Sequence, residues 1–168
     1  MRIETSVLFF LCYFSVVFQI SAQTSATASF TASATIIQPL GITTTSHMNF
    51  GDIDAQQGGS VILTPQNTRS TTGDVALSSG EDPSAAAFLV TGEVGLAYNI
   101  NVPTTSYTLS NGIEEMILEN FTSSLDNGGL LAEGKQAFNL GATLNIKAGQ
   151  TPGYYTSPVP MDVTVIYN

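Results

Sequence analysis

Apolar and polar residues alternate along much of the chain with a period of two, the spacing that puts successive side chains on opposite faces of a strand. The plainest stretch comes early. Ala26, Ala28, Phe30, Ala32, Ala34 and Ile36 alternate with Thr27, Ser29, Thr31, Ser33 and Thr35. This predicts a strand or strand-like extension over 23–37, with a shallow apolar face on which Phe30 is the one bulky knob. Pro39 and Gly41 interrupt it, and Leu40–Thr45 resumes as an extended piece. Proline cannot donate to a ladder, so Pro39 points to a sheet edge or a bend.

Further strands are predicted over Met48–Ile53, Ser60–Thr64, Asp74–Ser78, Ala85–Glu93, Ala97–Val102, Ser106–Ser110, Met116–Ser123, Gln136–Ile146 and Val159–Tyr167. Turn signals separate them, among them Gly58–Gly59, Asn111–Gly112, Asn127–Gly128–Gly129 and Gly149–Gln150–Thr151–Pro152–Gly153. One segment is ambiguous. Asn111 and Glu114 have the spacing of a helix capping box, and Ile113, Met116, Ile117 and Phe121 follow at helical intervals. A short helix over 112–121 therefore competes with the strand, whose alternation is imperfect there. Many short strands joined by turns predict an all-β fold, an antiparallel sandwich or barrel.

Residues 1–22 break this pattern. Arg2 gives a positive start, Val7–Val17 is apolar except for Ser15, and Ser21–Ala22 supplies a small-residue exit. This reads as a secretory signal peptide cleaved after Ala22, since the run is too short to span a bilayer. Cys12 lies inside the run between Leu11 and Tyr13 and has no small residues before it, which argues against lipidation. The expected mature chain, 23–168, is a single secreted domain without cysteine, held by its core alone.

Composition then removes several classes of function. Charged residues are 10% of the chain, against about 25% in ordinary soluble proteins. The net charge is −9, and it survives removal of Arg2 and Glu4. Arg69, Lys135 and Lys147 are dispersed and form no basic patch, so nucleic-acid binding is not expected. One cysteine and one histidine leave no ligands for structural zinc or disulfides. Asp52 and Asp54 share a strand face but are only two carboxylates where calcium takes six to eight oxygens; Glu81 and Asp82 read as loop charges. Glu114, Glu115 and Glu119 lack any specific glycosidase signature, and His47 has no Gly-x-Ser-x-Gly elbow to serve. No catalytic residue, cofactor or metal is expected. Asn120–Phe121–Thr122 matches a glycosylation sequon. Phe30, Phe50, Phe88 and Phe138 read as core anchors rather than as a stacking platform.

Several local patterns are shared with a known family. They are Ala32–Ser33–Ala34–Thr35–Ile36–Ile37–Gln38–Pro39–Leu40, Met48–Asn49–Phe50–Gly51–Asp52–Ile53, Phe88–Leu89–Val90–Thr91–Gly92–Glu93, Leu140–Gly141–Ala142–Thr143–Leu144, and Gly153–Tyr154–Tyr155 leading to Val163–Thr164–Val165–Ile166–Tyr167. In order and spacing they resemble the bacterial secreted family known as domain of unknown function four-four-zero-two. That family looks related to spore coat protein U domains and, more distantly, to chaperone–usher pilins, although the cysteine pair frequent in pilins is absent. The resemblance implies an immunoglobulin-like, pilin-like β-sandwich with no catalytic residues. It also implies a secreted structural subunit of a surface filament or coat. Its partners would be copies of itself or related subunits, with a periplasmic chaperone and an outer-membrane usher. Assembly would proceed by strand addition, in which an alternating segment fills the open edge of a neighbour. Ala26, Ala28, Phe30, Ala32, Ala34 and Ile36 are the candidate donor positions. The rival expectation is a monomeric cell-surface module that binds carbohydrate or protein.

Overall fold

The computed structural model describes residues 25–168, so the expected signal peptide lies outside the described residues. The segment up to Thr35 and the body Ile36–Asn168 are separate units. The strands of the body are β1 (Gly41–Ser46), β2 (Ile53–Asp54), β3 (Gly59–Leu63), β4 (Arg69–Gly73), β5 (Ala76–Leu77), β6 (Ala86–Thr91), β7 (Ala97–Asn101), β8 (Tyr107–Ser110), β9 (Glu115–Ser123), β10 (Gly128–Leu130), β11 (Lys135–Ile146) and β12 (Thr164–Tyr167). Every pairing is antiparallel, and no helix occurs among the described residues. The all-β antiparallel sandwich predicted from alternation is the fold that forms.

The organising strand is β11. Phe138, Leu140, Ala142, Leu144 and Ile146 are buried at every second position along it. Its first half pairs with β6 and its second half with β3, while β9 lies along Leu140–Asn145. Leu140 pairs with both Ala86 and Ser123, and Thr143 with both Ile62 and Glu119. Hence β6 and β3 follow one another along one edge of β11, and β9 takes the other. Gly141 sits at this handover, where a Cβ would press into the backbone of Leu63–Pro65. β1 extends the sheet beyond β6, β4 extends it beyond β3, and β8 extends it beyond β9. A second layer has the order β10-β7-β12, and β2 pairs with β5 as a short separate ribbon.

Two hydrophobic clusters result. One joins Val61 and Leu63 of β3, Leu118 of β9 and Leu144 of β11 to Phe50 and Val75 in the connections. The other lies between the layers, with Val90 and Phe138 on one side and Tyr98 and Ile100 of β7 on the other, closed by Leu131. Phe88 stacks on Phe138 at a centroid distance of 5.1 Å.

The structure corrects several expectations. The competing helix over 112–121 does not form, and the strand predicted over Met116–Ser123 does, as β9. Asn111 Oδ1 does accept hydrogen bonds from the Ile113 and Glu114 amides, but the turn leads into β9 rather than into a helix. The imperfect alternation comes from a β-bulge. Three steps on β9 span two on β11 between Thr122–Gly141 and Glu119–Thr143, and Asn120 has φ +53° there. Leu118 and Phe121 therefore both contribute to the first cluster.

Met48–Ile53 reduces to a bridge at Asn49 and the short β2, and Val159–Tyr167 pairs only from Thr164. β4 and β10 were not expected, because Arg69–Gly73 is polar and Gly128–Gly129 reads as a turn. Phe30 is not a core anchor: it is 91% exposed. Nor is Ala26–Ile36 a strand of this domain, since residues 25–40 pair with no other strand. A row of alanines offers too little apolar area to offset the cost of ordering the backbone by itself.

Candidate functional site

The alternating segment is fully displayed. Residues 25–39 are exposed, including all six candidate donor positions, and Ile36 is 98% exposed. The chain thus presents a two-faced extended sequence with its apolar face uncovered.

The body has two open strand edges that come together. β1 is hydrogen-bonded only to β6, and β12 only to β7, so each has one unpaired edge. Val163, just before β12, and Val165 and Tyr167 on it turn toward the second cluster, and Leu40 and Ile42 do so from the β1 side. All five are only half-buried, whereas Val90, Tyr98, Leu131 and Phe138 beneath them are sealed. The second cluster is thus least covered along these two edges. Burial lifts the Tyr98 phenol above its ordinary pKa, and its hydroxyl reaches Gln136 Oε1 at 3.0 Å.

Two of the other open edges are less suited to pairing. β4 is short and polar, with Ser70–Gly73 exposed, and β10 is a three-residue strand that begins with two glycines.

β1 and β12 meet at Tyr167. Its hydroxyl donates to Gln38 O at 3.0 Å and accepts from Glu93 N at 2.7 Å. Gln38 N donates in turn to Glu93 Oε2 at 2.8 Å. A side chain at Gly92 would meet the Tyr167 hydroxyl and Leu131, so only glycine fits beneath this ring of contacts. The Gln38–Pro39, Gly92–Glu93 and Ile166–Tyr167 stretches are far apart in the sequence, and nothing in their residue types announces that they touch.

The remaining candidates lie elsewhere and take structural roles. Asp52 Oδ2 accepts from Glu81 N at 3.3 Å, and the Gln56 amide caps on Asp54 at 3.2 Å. Among the described residues no three potential metal ligands cluster. Arg69 donates to the carbonyls of Phe50, Asp52 and Ser78 and ties the 50–54 and 78 loops to β4. His47 is exposed, and its carbonyl accepts from Ser84 Oγ at 2.9 Å. Glu119 accepts from Asn145 Nδ2 at 2.6 Å on the outer face of the sheet, and Asn120 of the sequon is exposed at the bulge.

Glu114 anchors the 147–155 loop. Its Oε2 accepts from Thr151 N at 2.7 Å and from Gln150 Nε2 at 3.0 Å, and the Tyr155 hydroxyl donates to Thr151 O. The Thr151 amide hydrogen bond, helped by Lys147, holds the Glu114 carboxyl below its usual range. Beside it lies an open depression of about 410 Å³ lined by Ser110, Ile113, Glu115, Lys147 and Gln150.

Among known proteins, a family model described as a domain of unknown function (DUF4402) matches residues 40–167. No curated protein and no solved structure matches.

Proposed function

Since the chain belongs to the family of the domain of unknown function DUF4402, whose description assigns no activity, we propose from its open edges that it is a secreted, pilin-like structural subunit of a surface filament or coat. The domain assembles by strand addition. Residues Ala26–Ile36 of one copy lie along the unpaired edges of β1 and β12 of the next, in an immunoglobulin-like body short of one strand. The observation that carries this reading is the coincidence of an uncovered alternating segment with two adjacent open edges over a half-covered apolar cluster.

The physics of such a contact is simple. Ladder hydrogen bonds supply the pairing, while Ala26, Ala28, Phe30, Ala32, Ala34 and Ile36 turn inward onto Ile42, Val163 and Val165. The small alanines let the added strand approach closely, and Phe30 fixes the register. The contact is head-to-tail and does not close, so it propagates a fibre. Before assembly the open edges need a periplasmic chaperone, and an outer-membrane usher would order the subunits.

The test is the mature chain, residues 23–168, on unboiled gels and in electron micrographs of sheared surface material. Wild type gives a ladder and fibres. Phe30→Asp, and deletion of 23–35, abolish the ladder while leaving a folded domain. A strictly monomeric, folded wild-type chain contradicts the proposal.

A second reading, a binding module for carbohydrate or protein, is favoured by one observation. Ile113 (83% exposed) lines the depression, and Tyr154 (86% exposed) lies in the 147–155 loop that Glu114 anchors. A glycan array that scores wild type but not Tyr154→Ala would support that reading.

A further inference from the structure

The sequon Asn120–Phe121–Thr122 is the only one in the sequence, and it plays no part in strand addition. We propose that Asn120 is a glycan acceptor, modified on its side-chain amide by a transferase that draws its sugar from a glycosyl diphosphate. This holds or fails independently of strand addition.

Such a triplet arises often by chance, and what sets this one apart is where the fold puts it. Asn120 lies within β9 yet has no partner in either neighbouring ladder. β8 pairs with β9 only from Glu115 to Leu118, so among the described residues nothing pairs with that edge of β9 from Glu119 onward. On the other edge, the ladder to β11 passes from Glu119↔Thr143 to Thr122↔Gly141. Asn120 and Phe121 thus stand against the single residue Ala142, the two-against-one count of a bulge.

The bulge sorts the three residues of the sequon. Phe121 packs against the first cluster and meets Tyr107 edge-to-face, with ring centroids 5.9 Å apart. Asn120 and Thr122 are both exposed. Asn120 has φ +53°, a region that asparagine enters more readily than most residues. Thr122 stands opposite Gly141, which has no side chain to cover it. The neighbouring Glu119 carboxylate is already engaged by Asn145 Nδ2 at 2.6 Å. The acceptor amide and the hydroxyl by which a sequon is recognised are therefore both open, while the residue between them anchors the backbone.

The reaction is a simple displacement. Asn120 Nδ2 attacks the anomeric carbon of the donor sugar. The bond from that carbon to the diphosphate oxygen breaks, and the diphosphate leaves with the electron pair. The amide proton passes to a carboxylate base of the transferase, and nothing is oxidised or reduced. A sugar placed here covers Glu119–Ser123, a rim of unpaired strand of the kind that invites stray pairing. β9 lies on the side of β11 away from β6 and β1, so the open edge of β1 stays free.

The test is mass spectrometry of the peptide carrying residues 115–123, taken from the chain secreted by the cells that make it. Fragmentation that keeps side-chain groups attached locates the modification. Wild type, Asn120→Asp, Thr122→Val and Thr122→Ser are compared, with thermal melting as the check on folding. Aspartate tolerates the left-handed backbone much as asparagine does, so the fold survives the loss of the amide. Wild type should carry sugar on Asn120, a single unit from a nucleotide-linked donor or an oligosaccharide from a lipid-linked one. Asn120→Asp and Thr122→Val should lose it completely, and Thr122→Ser, which keeps a hydroxyl, should retain it. A wild-type peptide of unmodified mass overturns the proposal whatever the variants do. So does sugar attached to a serine or threonine of the peptide, or sugar that survives Asn120→Asp.

Discussion

At Asn120 a single backbone conformation decides where the inward face of β9 lies. Its positive φ lets the strand gain one residue against β11, so Leu118 and Phe121, three apart, both reach the same cluster. Asparagine tolerates that region better than most residues because its short side chain can bond locally. The helical spacing in the sequence runs instead through Ile113, Met116, Ile117 and Phe121. Asn111 misled for a related reason: its capping hydrogen bonds are real, but they serve a hairpin turn. Residue types announce local hydrogen bonding, and tertiary pairing decides which element uses it.

Glu114 gives a prediction at this scale. Its folded pKa is depressed, so its contribution to stability is present above the unfolded value and lost as pH falls through the folded one. The melting temperature of Glu114→Gln should lie below wild type from neutral pH down to about pH 5. The gap should close as pH falls below the ordinary carboxylate range and wild-type Glu114 loses its charge as well. Melting curves across that range check it; a gap that stays constant to the lowest pH would assign the effect to shape rather than charge.

The strands differ in how openly the sequence declares them. β11 alternates over its whole length, so its extent was legible within a residue, and β3, β6 and β7 followed from the same signal. β4 and β10 were hidden because edge strands need no buried face: Arg69–Gly73 is nearly all polar, and Gly128–Gly129 is turn composition held extended by Tyr98 and Asn99 of β7. What could not be read was the handover of β11 from β6 to β3, which is a property of pairing and not of any one segment. Phe138 lies on the β6 side of that handover, buried against Phe88. Phe138→Ala should therefore cost about 3–5 kcal/mol in urea unfolding. Ile166→Ala, at an outward position of β12 that is 52% exposed, should cost under about 0.5 kcal/mol in the monomer. Equal costs at the two sites would mean that the second cluster is not the one described.

For the whole molecule, the low charge content takes on a meaning that composition alone did not give it. In the proposed strand addition the faces that meet are built of alanine, phenylalanine, isoleucine and valine, which come together without desolvating charge. The alternation of the six proposed donor positions was legible in the sequence. The adjacent open edges of β1 and β12 were not, because they belong to strands far apart in the chain, with Tyr167 closing on Gln38. The account turns on whether residues 26–36 become a strand when copies meet. Hydrogen–deuterium exchange on the mature chain, monomeric and assembled, measures this directly. The prediction is that amides 26–36 exchange freely in the monomer and become protected in the assembly, together with the outer edges of β1 and β12. Assemblies in which 26–36 exchange as fast as in a free peptide would contradict it.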